Sequence, residues 1–289
     1  MENVDYWTHR DALDNKEVPA SLTIVGGGVI GMEFASFFTS LGVQVTVVEM
    51  LDEILGGMDK ELSAMLRAEY AKKGIKFLLS TKVVEVSKGE TGITVSYENA
   101  DGAGTVTADK LLMSVGRRPV TKGFGLENLN LEWTERRCIK VDEHLQSSVP
   151  GVYVCGDLNG VSLLAHTAVR EAEVAVHHIT GKEDAMSYRA IPGVVYTNPE
   201  IAGVGMSEEA LQAAGIPYRA VKLPMAYSGR FVAETEIAKL NPDALKHLRE
   251  HRKEVLQRFK ENNPEAKTIE DWKRYVFPHP TVGEIFREL

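Results

Sequence analysis

Apolar residues concentrate in short runs at Leu22–Val25, Val43–Val48 and Ile75–Leu79, separated by stretches of helical period. Short apolar runs alternating with helices are the pattern of a parallel sheet covered on both faces, so residues 21–118 are expected to form an α/β unit. From Lys82 to Ala108 the period becomes two, as in Ile93-Val95-Tyr97, with breaks at Lys88-Gly89-Glu90 and Asn99–Gly104. That change predicts an antiparallel meander inserted into the unit.

After Gly116-Arg117-Arg118-Pro119 the pattern loosens until the run Gly151–Cys155, which predicts a strand ending at Gly156-Asp157, followed by a helix over Leu164–Thr180. A third region opens near Ala185 with predicted strands at Ile191–Tyr196 and Ile201–Val204. A short helix over Ser207–Ala214 follows, capped by Ser207. From about 237 to 273 the chain is dense in Lys, Glu and Arg. Asn241-Pro242 starts a helix there, Asn263-Pro264 stops it, and Thr268-Ile269-Glu270-Asp271 starts another. Leu245, Leu248, Val255, Leu256 and Phe259 form one helical stripe, expected to pack on the third region. The expected division is 1–118, 119–185 and 186–289.

Charge and composition narrow the function. A net charge of -8 without a basic stripe excludes a nucleic-acid surface, which needs clustered Lys and Arg. No apolar run approaches the roughly 20 residues of a membrane span, and Met1–Leu13 carries no basic patch before an apolar core. A cytoplasmic protein with no membrane partner is expected. Cys138 and Cys155 are spaced neither as a CxxC pair nor as a metal knuckle, and both are expected to be buried thiols. His247-Leu248-Arg249-Glu250-His251 spells H-x-x-E-H, but both histidines fall off the apolar stripe, so no metal is assigned.

Gly26-Gly27-Gly28-Val29-Ile30-Gly31 follows one predicted strand and opens the helix Val29–Leu41. In that setting GxGxxG reads as a dinucleotide fingerprint: Gly26 permits the tight turn, Gly28 admits a pyrophosphate, and Gly31 lets helix and strand approach. The diphosphate would rest on the amides of Gly28, Val29 and Ile30 at the positive end of the helix. Glu49 ends the second strand, where a carboxylate meets the adenosine ribose and repels a 2′-phosphate, so NAD(H) is expected over NADP(H).

Four stretches together resemble the dihydrolipoyl dehydrogenases, a family of flavoprotein pyridine nucleotide-disulfide oxidoreductases. They are Gly26–Glu33 with Glu49; Val115–Pro119; Ser147–Asp157; and Tyr196-Thr197-Asn198-Pro199-Glu200 running into Val204–Glu208. A fifth is His279-Pro280-Thr281-Val282-Gly283-Glu284. The resemblance implies a Rossmann-type NAD domain with an inserted meander, a flavin-domain remnant and an α+β interface-like domain. It implies Glu33 near the nicotinamide and Gly116 beside NAD. It also implies Asp157 and Ala165 at the FAD, with His279 and Glu284 as an acid/base pair for dihydrolipoyl thiols. A homodimer or a complementing FAD-domain fragment would be the protein partner. The family begins with an FAD half and a CxxxxC disulfide that this sequence does not contain, so it is expected to be truncated at its N-terminus and to keep NAD(H) binding alone. Between Thr235 and Trp272 the charged helices replace the family's sheet and small-residue helix, and they resemble an engineered substitution; a natural rearrangement is the other reading. The alternative function is a non-catalytic scaffold or interaction module.

Overall fold

A computed structural model describes residues 4–224 of the chain. The stripe and caps expected between about 237 and 273, the pair His247 and His251, and both His279 and Glu284 lie outside the described residues. Of the described residues, 4–210 belong to one compact unit and 211–224 to another. In the second unit, the Gln212 side-chain amide donates to the Tyr218 hydroxyl at 2.7 Å.

The first unit starts with a backbone exchange in which Trp7 donates to the Leu111 carbonyl and accepts from the Met113 amide. Helix α1, His9–Asp14, follows. Next come β1, Ser21–Val25; α2, Val29–Ser40; β2, Gln44–Val48; α3, Lys60–Lys72; and β3, Lys76–Leu78. Asp59 caps α3 by accepting the Glu61 amide at 3.0 Å. The meander is β4, Lys82–Gly89; β5, Gly92–Asn99; and β6, Gly102–Ala108, after which β7, Lys110–Met113, re-enters the parallel sheet. The sheet order is β3-β2-β1-β7, all parallel, with Ile24 beside Val47 and Leu112. The Rossmann-type α/β fold with its inserted meander is therefore present.

Alternation along β1 assigns the two faces. Leu22 and Ile24 point to α2 and α3, joining Met32, Phe38, Leu66 and Tyr70 in the main core. Val25, with Leu111 of β7, points the other way and is covered by Val86, Ile93 and Val95 of the meander. The meander thus does for one face what helices do for the other.

Helix α4, Ala165–Ile179, matches the expected span closely, as do the hairpin strands β8, Pro192–Val195, and β9, Ile201–Val204. Helix α5, Glu208–Ala213, receives the expected cap, with Ala210 donating to the Ser207 hydroxyl at 3.2 Å. Val195 and Ile201 of the hairpin are buried in the main core beside the Rossmann residues.

Two expectations need correction. Gly151–Cys155 is not a strand: it forms one isolated bridge, Tyr153 to Gln146. The run doubles back on Leu145–Ser147 through the turn at Gly151, and Gly156, at φ +72°, bends the chain away before a ladder can grow. Cys155 is half-buried, whereas Cys138 is buried as expected. Burial and the nearby Glu171 carboxylate push the Cys155 thiol above its ordinary value, which keeps it protonated and unreactive.

Candidate dinucleotide site

The glycine loop is shaped by close backbone approaches. Gly26 has φ +105°, and a Cβ there would stand 2.3 Å from the Ser114 carbonyl oxygen at the end of β7. A Cβ on Gly31 would stand 2.0 Å from the Gly26 carbonyl oxygen, so only glycine lets α2 begin this near the strand it leaves. Gly28 is different: a Cβ there would meet nothing within 4 Å. The open space lies at the cap of α2, where the amides of Gly28, exposed Val29 and half-buried Ile30 lack intrahelical partners. Nothing in the packing requires glycine at 28, which fits a residue kept bare for a ligand.

Glu49 lies where the sequence placed it and is more tightly held than the sequence suggests. It is buried; one carboxylate oxygen accepts the Gly27 amide at 2.6 Å and the other accepts the Leu51 amide at 2.7 Å. Each oxygen keeps a lone pair for a further donor, so a diol could be received without breaking either bond. The carboxylate is thereby fixed to the glycine loop itself. These features fit a dinucleotide, with the diphosphate on the amides of α2 and the adenosine ribose at Glu49.

Glu33, one turn into α2, accepts the Tyr196 amide at 2.9 Å. Gly116, at φ +114°, is exposed just past β7, and its neighbour Arg117 pairs with Asp157 at 3.1 Å. The Val-Gly-Arg-Arg-Pro and Gly-Asp segments are thus brought together, although an ion pair this exposed contributes only about 0–1 kcal/mol. Ala165 is exposed in the first turn of α4. Asn159, two residues past Asp157, is buried with its amide nitrogen unpartnered, and His166, next to Ala165, places Nε2 2.8 Å from the Pro192 carbonyl oxygen. Bare amides, an unpartnered donor and a carboxylate fit the polar edge of a flavin, but they are one side of such a site.

Glu171 was not singled out by sequence reasoning. It is wholly buried in α4 and accepts the Gly156 amide at 2.5 Å and the Tyr188 hydroxyl at 2.7 Å, so it holds the Gly-Asp turn in shape. Burial, with the Glu171 carboxylate, raises the Tyr188 phenol beyond its ordinary range. A glutamate on the apolar face of a helix, in line with Thr167 and Val174, was the available signal. A separate groove of about 390 Å³ runs beside α2, bordered by Leu13, Val18, Phe34, Phe37 and Leu41 with Glu33 at its edge; the glycine loop does not line it. Among the described residues no group of three or more His, Cys, Asp or Glu side chains is placed to hold a metal. No described helix is long and apolar enough to cross a membrane.

Comparison with known proteins settles the family. Residues 1–172 match the profile described as pyridine nucleotide-disulphide oxidoreductase. The chain belongs to that family. Its members work with NAD and FAD, and a second profile, the dimerisation domain of pyridine nucleotide-disulphide oxidoreductases, matches residues 191–256. Dihydrolipoyl dehydrogenase 3 of Pseudomonas putida is 38% identical over 96% of this chain and 62% of its own length. Dihydrolipoyl dehydrogenase of Geobacillus stearothermophilus is 35% identical over 96% and 61%. The chain spans about three fifths of the length of these relatives. Among solved structures, LpdA from Mycobacterium tuberculosis superposes with a TM-score of 0.72 at 25% identity, covering 97% of this chain and 64% of that one.

Proposed function

We propose that this chain binds NAD(H) in preference to NADP(H), as the nucleotide-binding part of a dihydrolipoyl dehydrogenase-like oxidoreductase. The observation that carries the reading is the fixed carboxylate of Glu49, bonded to Gly27 inside the glycine loop. Gly26 and Gly31 shape the loop, the amides at Gly28, Val29 and Ile30 receive the diphosphate, and Glu49 receives the ribose diol. Gly116 borders the nicotinamide half. The bound nicotinamide would accept or give a hydride; the chain's own residues bind, orient and discriminate. Titration of NADH and NADPH by fluorescence tests the reading, and equal affinities that Glu49→Ala leaves unchanged would overturn the role of Glu49.

In the reaction of the dihydrolipoyl dehydrogenases, electrons leave dihydrolipoyl thiols through a disulfide and FAD to reach NAD. For this chain we place Asp157 and Ala165 on the flavin side and His279 with Glu284 as the acid/base pair, on motif matches alone. The sequence contains no CxxxxC, so a dithiol and the rest of the flavin site would have to come from outside these 289 residues. A complementing FAD-domain polypeptide would supply both, and the match to a dimerisation domain supports a homodimer. The second reading, a non-catalytic scaffold, draws on that same lack of a redox pair. The boundaries 1–118, 119–185 and 186–289 remain our proposed functional division.

A further inference from the structure

The segment Tyr196–Asn198 is held by two helices of the Rossmann unit at once. Tyr70 of α3 is buried, and its hydroxyl lies 3.0 Å from the Asn198 amide, 3.1 Å from the Asn198 carbonyl oxygen and 2.6 Å from the Ser36 hydroxyl of α2. The Lys73 ammonium donates to the same Asn198 carbonyl at 2.6 Å. A phenol has one proton. With Lys73 already serving the carbonyl, the short contact makes Ser36 the acceptor of that proton, and the Asn198 amide donates to the Tyr70 oxygen. Two residues earlier the same segment donates its Tyr196 amide to Glu33. Thr197, between them, is buried and donates to the Val195 and Pro199 carbonyls, so the segment moves as one piece.

We propose that Tyr70 is a positioning residue of the nucleotide site, which holds Asn198 so that the Tyr196 amide pins the Glu33 carboxylate away from the diphosphate seat. This rests on the NAD(H) reading given above. Glu33 lies five positions past the Gly28 cap, about 7 Å along the helix axis. Side chains on a helix lean toward its N-terminus, so a loose Glu33 reaches back toward the amides that receive the diphosphate. A negative charge there is attracted to the positive helix end, neutralises it, and repels the diphosphate by like charge. The Tyr196 amide removes that option, and Tyr70 fixes the backbone carrying the amide, with no contact of its own to Glu33 or the glycine loop in the bonds that define the clamp.

The test is a double-mutant cycle on the full chain, read by NADH titration: wild type, Tyr70→Phe, Glu33→Ala and both together. Tyr70→Phe is expected to weaken NADH binding about 3- to 10-fold when Glu33 is present and less than about 2-fold when it is alanine. Hydrogen exchange of the 192–204 segment is expected to quicken in Tyr70→Phe. An unchanged affinity, or the same loss with and without the Glu33 carboxylate, would show that Tyr70 is only structural and overturn the proposal. Should Tyr70→Phe fail to fold, Lys73→Met takes its place in the cycle and is judged by the same coupling to Glu33. A wild-type chain that does not bind NADH overturns the nucleotide reading together with this one; intact binding without coupling overturns this one alone.

Discussion

Gly31 and Gly28 sit in one motif for opposite reasons, and substitution separates them. Gly31→Ala drives a methyl group to 2.0 Å from a backbone carbonyl, so a loss of about 1–3 kcal/mol in stability is expected in a denaturant titration, together with weakened nucleotide binding. Gly28→Ala meets nothing within 4 Å; its melting temperature is expected to stay at the wild-type value while NADH affinity falls. Glu49→Ala should lose the discrimination between NADH and NADPH, worth on the order of 1–3 kcal/mol, measured as the ratio of the two dissociation constants. A pH effect is expected at Asp184, whose carboxylate takes a bidentate bond from Arg170 at 2.9 and 2.7 Å and lies 2.8 Å from His177 Nδ1. Burial raises its pKa, but the bonds from Arg170 and His177 outweigh it and hold the value below the ordinary 3.8. A depressed carboxylate stabilises fully above its unfolded pKa and loses that stabilisation as pH falls through the folded one. The contribution of Asp184 is therefore expected to be complete above about pH 5, and to be lost as pH falls from 3.8 through the lower folded value. Comparing the acid unfolding of Asp184→Asn with wild type checks it; parallel stability curves across that window would refute the assignment.

Strands β1 to β3, helix α2 and the meander were legible because apolar runs there are flanked by their own punctuation: a glycine turn before α2 and tight glycine turns between meander strands. Local chemistry and tertiary packing agree there. Gly151–Cys155 misled because an apolar run states burial but not a partner, and its only pairing is a turn back on Leu145–Ser147. The placing of Glu49 could be read from spacing, whereas its bond to Gly27 could not. Still less could the bond from Tyr196 to Glu33 be foreseen, across 163 positions, or that of Tyr70 to Asn198, across 128. Such bonds depend on how the hairpin docks, which no local pattern records. Docking has an energetic counterpart in Val195, nearly inaccessible and packed in the Rossmann core. Val195→Asp would bury an unpaired carboxylate and is expected to destabilise the unit by at least about 3 kcal/mol, seen as a lowered denaturation midpoint. If only the 192–204 segment loosens while the midpoint holds, the hairpin is not part of that core.

At the scale of the molecule, one centre among the described residues fits a dinucleotide, and the sequence contains no CxxxxC pair. Purified alone, it is expected to form no NADH from dihydrolipoamide even with NAD and FAD added, because thiol electrons reach a nicotinamide only through disulfide exchange and a flavin. The assay is steady-state absorbance against a Gly28→Trp control, and turnover above that control would refute the expectation. The meander adds a practical consequence. Its Gly89–Gly92 turn sits opposite Ala108, just before β7 begins, whereas the glycine loop leaves the other end of β1. Glu90 and Thr91 are exposed there, at the edge of the sheet remote from the glycine loop. Because lengthening a surface loop costs little, a foreign peptide or fluorescent label could be spliced in between them, giving a reporter whose attachment point does not disturb what it reports.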